Sequence, residues 1–246
     1  MQLAIVTGAS SGIGAATAKL LADNGFEVIA AARRIDRLQE LAKHNPNIKA
    51  HKLDVTDQVS VDEFVKSLAG RSVAVLVNNA GGAFDSISIE KATPENWQKS
   101  YEVNVIGALR ITKALLPNLR ANGESHIVVV TSTAGHGVYE NGGSYTSAKH
   151  AELAFTQTLR LELNGEPIRV TEVAPGMVKT EEFSLNRLGS VEAAEKVYEG
   201  VASPLTAEDI AEAIRWTVTL PAHVNIDSLV IRPVAQAANH KVHRVK

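Results

Sequence analysis

Short apolar segments rich in β-branched residues recur along the chain and alternate with longer amphipathic stretches. Each apolar segment has the length of a strand, and each stretch between two of them is long enough for a helix. This alternation predicts an α/β domain in which a doubly wound parallel sheet of about seven strands carries helices on both faces. The predicted strands span residues 2–6, 27–31, 48–53, 73–77, 126–130, 169–173 and 226–231.

The whole chain of 246 residues is predicted to form one domain. No linker, repeat or low-complexity segment divides it, and a single doubly wound sheet can extend through roughly 200–250 residues. The least regular part spans residues 176–203, after Pro175 and Gly176 end a predicted strand. Because irregular segments at the carboxyl edge of a parallel sheet are usually functional, we expect this segment to be a lid over the substrate.

Composition excludes several classes of function. The 25 Lys and Arg residues nearly balance the 27 Asp and Glu residues, so no overall field favours nucleic acid or an anionic membrane. The absence of cysteine excludes disulfides, zinc thiolates and thiol catalysis. Nothing resembles a signal peptide or an apolar run of about 18 residues, which predicts a cytoplasmic protein. His223, His240 and His243 lack accompanying acids at ligand spacing, so no metal site is predicted.

A glycine-punctuated turn, residues 7–14, separates the first predicted strand from the first predicted helix. Glycine permits positive φ and close approach of a ligand to the backbone, and the amino end of a helix presents unpaired N–H groups to a phosphate. This context predicts a Rossmann-type dinucleotide site, although a plain tight turn would use the same residues. The predicted contacts are Gly8, Ser10, Ser11, Gly12, Ile13 and Gly14.

Two arginines, Arg33 and Arg34, follow the second predicted strand. A site for NAD usually has an acid there, whereas NADP requires positive charge to bind the 2′-phosphate. The pair therefore favours NADP(H) over NAD, and two solvated arginines at a helix start are the alternative. Asp54 and Val55 follow the third strand at the same sheet edge. Asp54 is expected either to accept a hydrogen bond from the adenine amino group or to cap a helix.

The candidate catalytic pair is Tyr145 and Lys149, which are four residues apart and therefore lie on one face of a predicted helix. A phenol with a pKa of about 10 is a poor base near neutrality, but an adjacent ammonium favours its phenolate form. Such a phenol can exchange a proton with a hydroxyl or carbonyl group, while the lysine also reaches the ribose of the cofactor. Ser132, just after the fifth strand, is expected to bind the substrate oxygen. Ordinary helix surface is the alternative for the pair.

Three further residues are candidates for the substrate side of the site. His136 and Tyr139 lie between Ser132 and Tyr145, where they either line the substrate pocket or belong to an exposed loop. Arg187 is a cation within the 176–203 segment that could pair with a substrate carboxylate through two parallel donors. A solvated helix arginine is the alternative for that residue.

These motifs together resemble the short-chain dehydrogenase/reductase family in order and in spacing, over nearly the whole chain. The stretch that includes residues 219–226 and 232–234 is further similar to the NADP-dependent 3-hydroxy acid branch, which acts on serine and allo-threonine. The residues that carry the family resemblance are the 7–14 turn, Asn78, Asn79, Ala80, Gly81, Asn104, Ser132, Tyr145, Lys149 and the segment 175–180.

The resemblance implies roles that the residues alone do not establish. It implies that Asn79, Ala80 and Gly81 lie along the nicotinamide ribose, and that Asn104 holds a water linking Lys149 to solvent. It also implies a homodimer or homotetramer. The segment after the sixth strand is implied to contact the nicotinamide end of the cofactor through Pro175, Gly176, Val178 and Thr180.

The leading functional hypothesis is an NADP(H)-dependent oxidoreductase acting on a small hydroxyl or carbonyl substrate, such as a 3-hydroxy acid. One alternative is a carbonyl reductase of a larger ketone or aldehyde. Another is a non-catalytic NADP(H) sensor, which would have no need for the combination of Asn104, Ser132, Tyr145 and Lys149.

Overall fold

A computed structural model describes residues 1–245 and confirms the predicted doubly wound sheet. Seven parallel strands form it in the order β3-β2-β1-β4-β5-β6-β7. An antiparallel pair, β8 and β9, follows the sheet. The strands are β1 (Leu3–Thr7), β2 (Glu27–Ala32), β3 (Ile48–Lys52), β4 (Val75–Asn78), β5 (Ser125–Val130), β6 (Ile168–Pro175), β7 (Ser228–Ile231), β8 (Gln236–Ala238) and β9 (Lys241–Val242).

Helices occupy most of the connections between strands. A π-helical turn, Glu102–Ile106, joins α4 to α5. No helix in residues 1–245 combines the length and the apolar character that a membrane crossing requires. The helices are α1 (Gly12–Asp23), α2 (Ile35–Ala42), α3 (Gln58–Ser67), α4 (Pro94–Tyr101), α5 (Gly107–Arg120), α6 (Gly143–Glu162), α7 (Phe183–Leu188), α8 (Val191–Lys196) and α9 (Ala207–Val218).

The sheet is buried between two helical layers because its strands present apolar side chains to both faces. In β1, Ala4 and Val6 pack with α1, α2 and α9, whereas Leu3 and Ile5 pack with α3, α5 and α6. β5 lacks polar alternation for the same reason, since all six of its residues are buried. Burial on both faces fixes the position of each strand end, and with it the position of every loop at the carboxyl edge.

The strand order reverses between β1 and β4, so the crossovers leave these two strands in opposite directions and open a crevice at their carboxyl ends. A single hydroxyl ties the two ends together. Thr7 Oγ1 donates to Val77 O at 3.2 Å and accepts from the backbone N–H groups of Asn79 and Ala80 at 3.0 Å each. The turn after β1 and the turn after β4 are thereby held side by side.

The predicted irregular segment, residues 176–203, contains the two short helices α7 and α8. Its start is attached to the fold by an isolated parallel bridge between Val178 and Leu205. Gly189 ends α7 with a φ of 76°, a left-handed conformation that glycine adopts without strain. The segment therefore has internal structure, and its role as a lid stays a prediction.

Candidate active site

A cavity of about 780 Å³ lies at the carboxyl edge of the sheet, over the crevice between β1 and β4. All the predicted catalytic and cofactor-binding residues except Gly14 and Asn104 line it. These lining residues are Gly8, Ser10, Ser11, Gly12, Ile13, Arg33, Arg34, Asp54, Val55, Asn79, Ala80, Gly81, Ser132, Tyr145, Lys149, Pro175, Gly176, Val178 and Thr180.

The turn between β1 and α1 has a geometry that suits a diphosphate. Gly8 has a φ of 65°, and a Cβ added there would lie 2.9 Å from Ala80 Cα, so only glycine fits without movement of the backbone. Gly12 has a φ of 53°. The helix α1 begins at this glycine with no acidic residue in its first turn and no side-chain cap from Ser11. Its amino end therefore offers backbone donors and a positive dipole to an anion.

The predicted cofactor contact of Gly14 needs correction. This glycine does not line the cavity, because it faces the preceding turn from inside α1. A Cβ at Gly14 would lie 2.5 Å from both Gly8 O and Asn79 Nδ2. Gly14 therefore permits close packing of the helix against the turn and against Asn79, and it affects the cavity through these two neighbours.

Arg34, at the cavity wall, is bound by the carboxylate of Glu182, a residue that no sequence motif indicated. Its two terminal nitrogens donate to the two carboxylate oxygens of Glu182, at 2.6 and 2.7 Å, and its Nε donates to Ser10 Oγ at 3.2 Å. Ser11 Oγ donates to the same carboxylate at 2.8 Å, and Arg37 also binds it. The hydrogen bond from Arg34 is the main reason that the pKa of Glu182 falls to about 2.

Asp54 lines the cavity without capping a helix. Its Oδ1 accepts from Thr56 N at 3.0 Å and from Thr56 Oγ1 at 2.7 Å, which forms a turn directly after β3. The cap of α3 is Asp57, whose carboxylate accepts from Val59 N at 3.0 Å. The helix-cap alternative for Asp54 is therefore wrong, and the adenine contact stays a prediction.

Tyr145 and Lys149 lie one turn apart on α6 and both line the cavity. The ammonium nitrogen lies 5.8 Å from the centroid of the tyrosine ring. It donates to Val130 O at 3.1 Å and to Glu152 Oε2 at 2.5 Å. Burial alone would lower the pKa of Lys149, but the charges of Glu152 and Tyr145 outweigh burial and raise it above its ordinary value. These neighbours therefore favour the ammonium form of Lys149 beside the phenol.

Ser132 is fixed by the turn that follows β5. It caps the short 3-10 turn Thr133–Gly135, because its Oγ accepts from Ala134 N at 3.1 Å. The same hydroxyl donates to Pro175 O at the end of β6, at 3.4 Å. Two adjacent strand ends therefore hold Ser132 at the cavity wall, which it shares with Tyr145 and Lys149.

Asn104 is fully buried in the π-helical turn and does not line the cavity. Its Oδ1 accepts from Gly82 N at 3.1 Å, and its Nδ2 donates to Gly82 O at 2.9 Å and to Ser100 O at 2.7 Å. A Cβ on Gly81 would lie 2.5 Å from Asn104 Oδ1 and 3.5 Å from Lys149 Nζ. The amide therefore fixes the 81–82 turn beside the lysine, and its water-holding role stays a prediction.

Side chains of the 176–203 segment and of the loop before α6 also line the cavity. The guanidinium of Arg187 lies 5.3 Å from the centroid of the Tyr139 ring, and its Nη2 donates to Ser86 Oγ at 3.2 Å. Phe183 packs edge-on against Tyr145, with ring centroids 5.5 Å apart. Burial raises the pKa of the Tyr139 phenol, so Tyr139 remains a neutral phenol.

Of the two pocket candidates in the loop before α6, Tyr139 lies in the pocket and His136 lies outside it. It does not line the cavity, because its Nε2 lies 2.8 Å from Glu172 Oε1, a buried carboxylate on β6. The pocket-lining hypothesis is therefore wrong for His136 and confirmed in position for Tyr139.

The chain matches known proteins over most of its length. The family model described as short chain dehydrogenase matches residues 2–187. An uncharacterized oxidoreductase of Mycobacterium tuberculosis strain H37Rv is 50% identical, over 96% of this chain and 93% of that protein. An NADP-dependent 3-hydroxy acid dehydrogenase of Salmonella typhi is 40% identical, over 99% of this chain and all of that protein.

A solved structure gives the same result at the level of the fold. The closed form of a serine dehydrogenase complexed with NADP+ superposes with a TM-score of 0.92, at 38% identity, over 99% of this chain and 100% of that one. The family model covers the part of the chain that contains the glycine turn, Ser132, Tyr145 and Lys149. The chain therefore belongs to the short-chain dehydrogenase family.

Proposed function

We propose that this chain is an NADP(H)-dependent dehydrogenase that exchanges a hydride with the carbinol carbon of a small 3-hydroxy acid such as serine. The observation that carries the proposal is the convergence of Ser132, Tyr145 and Lys149 in the cavity that also holds the glycine turn and two arginines. The names of the 3-hydroxy acid and serine dehydrogenases that resemble the chain support this cofactor and this class of substrate.

When bound, NADP+ accepts the hydride and NADPH supplies it; the chain's own residues handle the proton. Tyr145 takes the hydroxyl proton of the substrate onto its phenolate oxygen during oxidation and returns it during reduction. The Lys149 ammonium stabilises the phenolate form, while its stem lines the cavity where the ribose would lie. Ser132 Oγ binds the substrate oxygen that gains or loses the proton. A sensor would need none of this arrangement.

The cofactor contacts are proposed on the same basis. The backbone of Gly8, Ser10, Ser11, Gly12 and Ile13 would bind the diphosphate, and the residues after β4 and β6 would bind the nicotinamide half. Arg33 and Arg34 would bind the 2′-phosphate of the adenosine half, since paired guanidinium donors match a phosphate. That phosphate has to compete with Glu182, which already occupies the donors of Arg34.

Glu182→Gln is expected to lower the Kd for NADP+ by about tenfold, because it removes a carboxylate that competes for Arg34. The Kd for NAD+ should change little, since NAD+ has no 2′-phosphate. Titration of protein fluorescence with the two cofactors measures both constants. Glu181→Gln, one residue earlier, is the matched control. An equal change in the two constants would contradict competition at Arg34.

Arg187 is the proposed partner of the substrate carboxylate, because it lines the cavity near Tyr139 and its buried Nε has no partner among residues 1–245. Arg187→Ala should raise the KM for hydroxy acids by about 10–100-fold, the effect of losing a charge-assisted hydrogen bond. The KM for uncharged secondary alcohols should stay the same. Equal losses on both substrate classes would refute the carboxylate role. Arg71→Ala, far from the cavity, serves as the control.

The test of the proposed function is a substrate panel. NADP+ reduction is followed with 3-hydroxy acids, amino-hydroxy acids, sugars and secondary alcohols, and each assay is repeated with NAD+. We expect the highest kcat/KM with a small 3-hydroxy acid and NADP+. Preferred turnover of a large ketone or aldehyde with NADPH would favour the carbonyl-reductase alternative instead.

We also propose a homotetramer or homodimer that works in the cytoplasm. Large apolar side chains are exposed on the outer faces of two helices, Leu161 on α6 and Trp216 on α9, at 77% and 44% of their full accessibility. A contact between subunits would remove these two side chains from water. Sedimentation velocity gives the number of subunits, and a monomer at micromolar concentration would contradict the proposal.

A further inference from the structure

The catalytic helix carries a buried acid that the family motif does not include. Glu152 lies three residues after Lys149 and seven after Tyr145, so the three side chains follow one face of α6. Its side chain is 1% exposed, and its Oε2 lies 2.5 Å from Lys149 Nζ. Within residues 1–245, it is the one carboxylate that forms a salt bridge with that lysine.

We propose that Glu152 is a positioning residue for the reaction, whose carboxylate fixes the Lys149 ammonium beside Tyr145 and keeps that lysine charged inside the protein. This inference rests on the proposed function, because it concerns the same catalytic group. It adds a residue, outside the cavity wall, that acts through Lys149.

The need for such a residue follows from burial. The side chain of Lys149 is 5% exposed, and an ammonium taken out of water loses its proton readily unless an opposite charge lies close by. A neutral amine would no longer favour the phenolate of Tyr145. Burial also raises the pKa of Glu152, to about 7, although Lys149 opposes that rise. Above that pH the pair consists of a carboxylate and an ammonium.

The hydrogen bonds of the ammonium support a positioning role. An ammonium has three N–H donors and no acceptor. Val130 O accepts one of them at 3.1 Å and Glu152 Oε2 accepts a second, so two donors are fixed by the protein. One donor remains for the cavity, which Lys149 lines. Without the Glu152 carboxylate, Val130 O would be the one remaining acceptor of the Lys149 amine. The orientation of the amine toward the cavity would then no longer be fixed.

Two other titratable groups, Tyr145 and Glu172, lie near the same lysine, and their effects on its pKa have to be distinguished from the effect of Glu152. Tyr145 lies on α6, and Glu172 on β6 is near enough to raise the pKa of Lys149. The carboxylate oxygens of Glu172 are already hydrogen-bonded to other residues. They accept from Thr131 Oγ1 at 2.5 Å and from Ser228 Oγ at 2.6 Å, and one of them also contacts His136. Asn104, behind the 81–82 turn, is neutral. Glu152 is therefore the group whose removal changes the charge of Lys149 most.

The test compares wild type with Glu152→Gln, which keeps the size of the side chain and removes its charge. The first readout is the titration of Lys149 by NMR in protein labelled at the lysine ε-carbon, with Lys149→Met identifying the resonance. The second readout is the pH profile of kcat/KM for oxidation of a hydroxy acid. Thr156→Val is the matched control, because Thr156 is fully buried on the same helix and donates to Glu152 O through its hydroxyl.

In wild type, Lys149 should titrate above the ordinary lysine value of about 10.4, and activity should not decline below that pH. In Glu152→Gln, we expect the midpoint of the Lys149 titration to fall below the ordinary lysine value. The alkaline limb of the pH profile should move with it, and kcat should fall by about tenfold. Thr156→Val should leave both readouts where they are in wild type.

An unchanged Lys149 titration in Glu152→Gln would overturn the inference, as would a loss of activity that is uniform across the pH range. A rise in kcat would also overturn it, because the glutamate would then restrain the lysine.

If Glu152→Gln does not fold, Glu152→Asp replaces it. The shorter acid should lower the midpoint of the Lys149 titration partly, and an unmoved midpoint would again overturn the inference. Inactive wild type with a moved titration would refute the proposed function and leave the role of Glu152 intact.

Discussion

Replacing Tyr145 with phenylalanine is expected to lower kcat by about 10³-fold or more, the contribution of a positioned acid or base. The phenol lies beside the Lys149 ammonium, whose Nζ is 5.8 Å from the centroid of the tyrosine ring and whose pKa is raised by the neighbouring Glu152 and Tyr145 charges. The variant keeps the ring, which packs edge-on against Phe183. The Kd for NADPH, measured by fluorescence titration, should therefore change little.

Tyr139→Phe provides the matched control for that experiment. Tyr139 lines the same cavity, but burial raises the pKa of its phenol and no lysine contacts its ring within residues 1–245. Its loss should reduce turnover far less than the loss of the Tyr145 hydroxyl. Undiminished activity in Tyr145→Phe, or equal losses in the two variants, would remove Tyr145 from the proton transfer.

The second large effect is expected at the arginine pair. Arg33→Ala combined with Arg34→Ala should raise the KM for NADP+ by about 10²-fold or more, because charge-assisted hydrogen bonds to a phosphate would be lost. The KM for NAD+ should stay nearly constant, since NAD+ presents a hydroxyl at that position. Steady-state assays with both cofactors and one hydroxy acid measure the difference.

Arg37→Ala is the control for the arginine pair. Arg37 also binds Glu182, but it does not line the cavity. Its removal tests whether any loss of positive charge in this region weakens NADP+ binding. A large effect of Arg37→Ala, or equal weakening of NADP+ and NAD+ by the double variant, would contradict direct recognition of the 2′-phosphate.

The sequence was sufficient to predict the sheet, the glycine turn and the position of Tyr145 and Lys149 on one helix face at the cavity. Seven apolar segments became the seven strands because a parallel sheet buried on both faces needs continuous apolar runs, which leave a clear pattern. The carboxyl ends of such strands meet at one edge. Motifs placed directly after strands, such as the glycine turn and Ser132, therefore had to converge.

Side-chain partnerships were not predictable in the same way. The pair of Arg34 and Glu182 joins residues 148 positions apart, and neither periodicity nor a local motif records such a contact. Asp54 and Asp57 both precede α3, and only the backbone geometry decides that the second one caps it. The sequence singled out Asn104 but could not show that its amide is bound by the backbone of Gly82 and Ser100.

Glu152 left a signal that could have been recognised. An acid seven residues after Tyr145 falls on the same inward face of the helix, where a charged side chain is expensive to bury without a partner. The spacing alone therefore indicates a partner on that face, and Lys149 is the cation within reach. What the sequence could not supply is the depth of burial that makes the pairing necessary.

The proposed hydride transfer from a hydroxy acid to NADP+ is tested most directly with a deuterium label. A 3-hydroxy acid carrying deuterium at its carbinol carbon is incubated with NADP+ and the wild-type chain, and the reduced cofactor is analysed by mass spectrometry. We expect NADPH that carries one deuterium from the substrate, and about 10³-fold slower formation of that product with Tyr145→Phe. Reduced cofactor without the label, or no reduced cofactor from any hydroxy acid, would contradict the proposed hydride transfer.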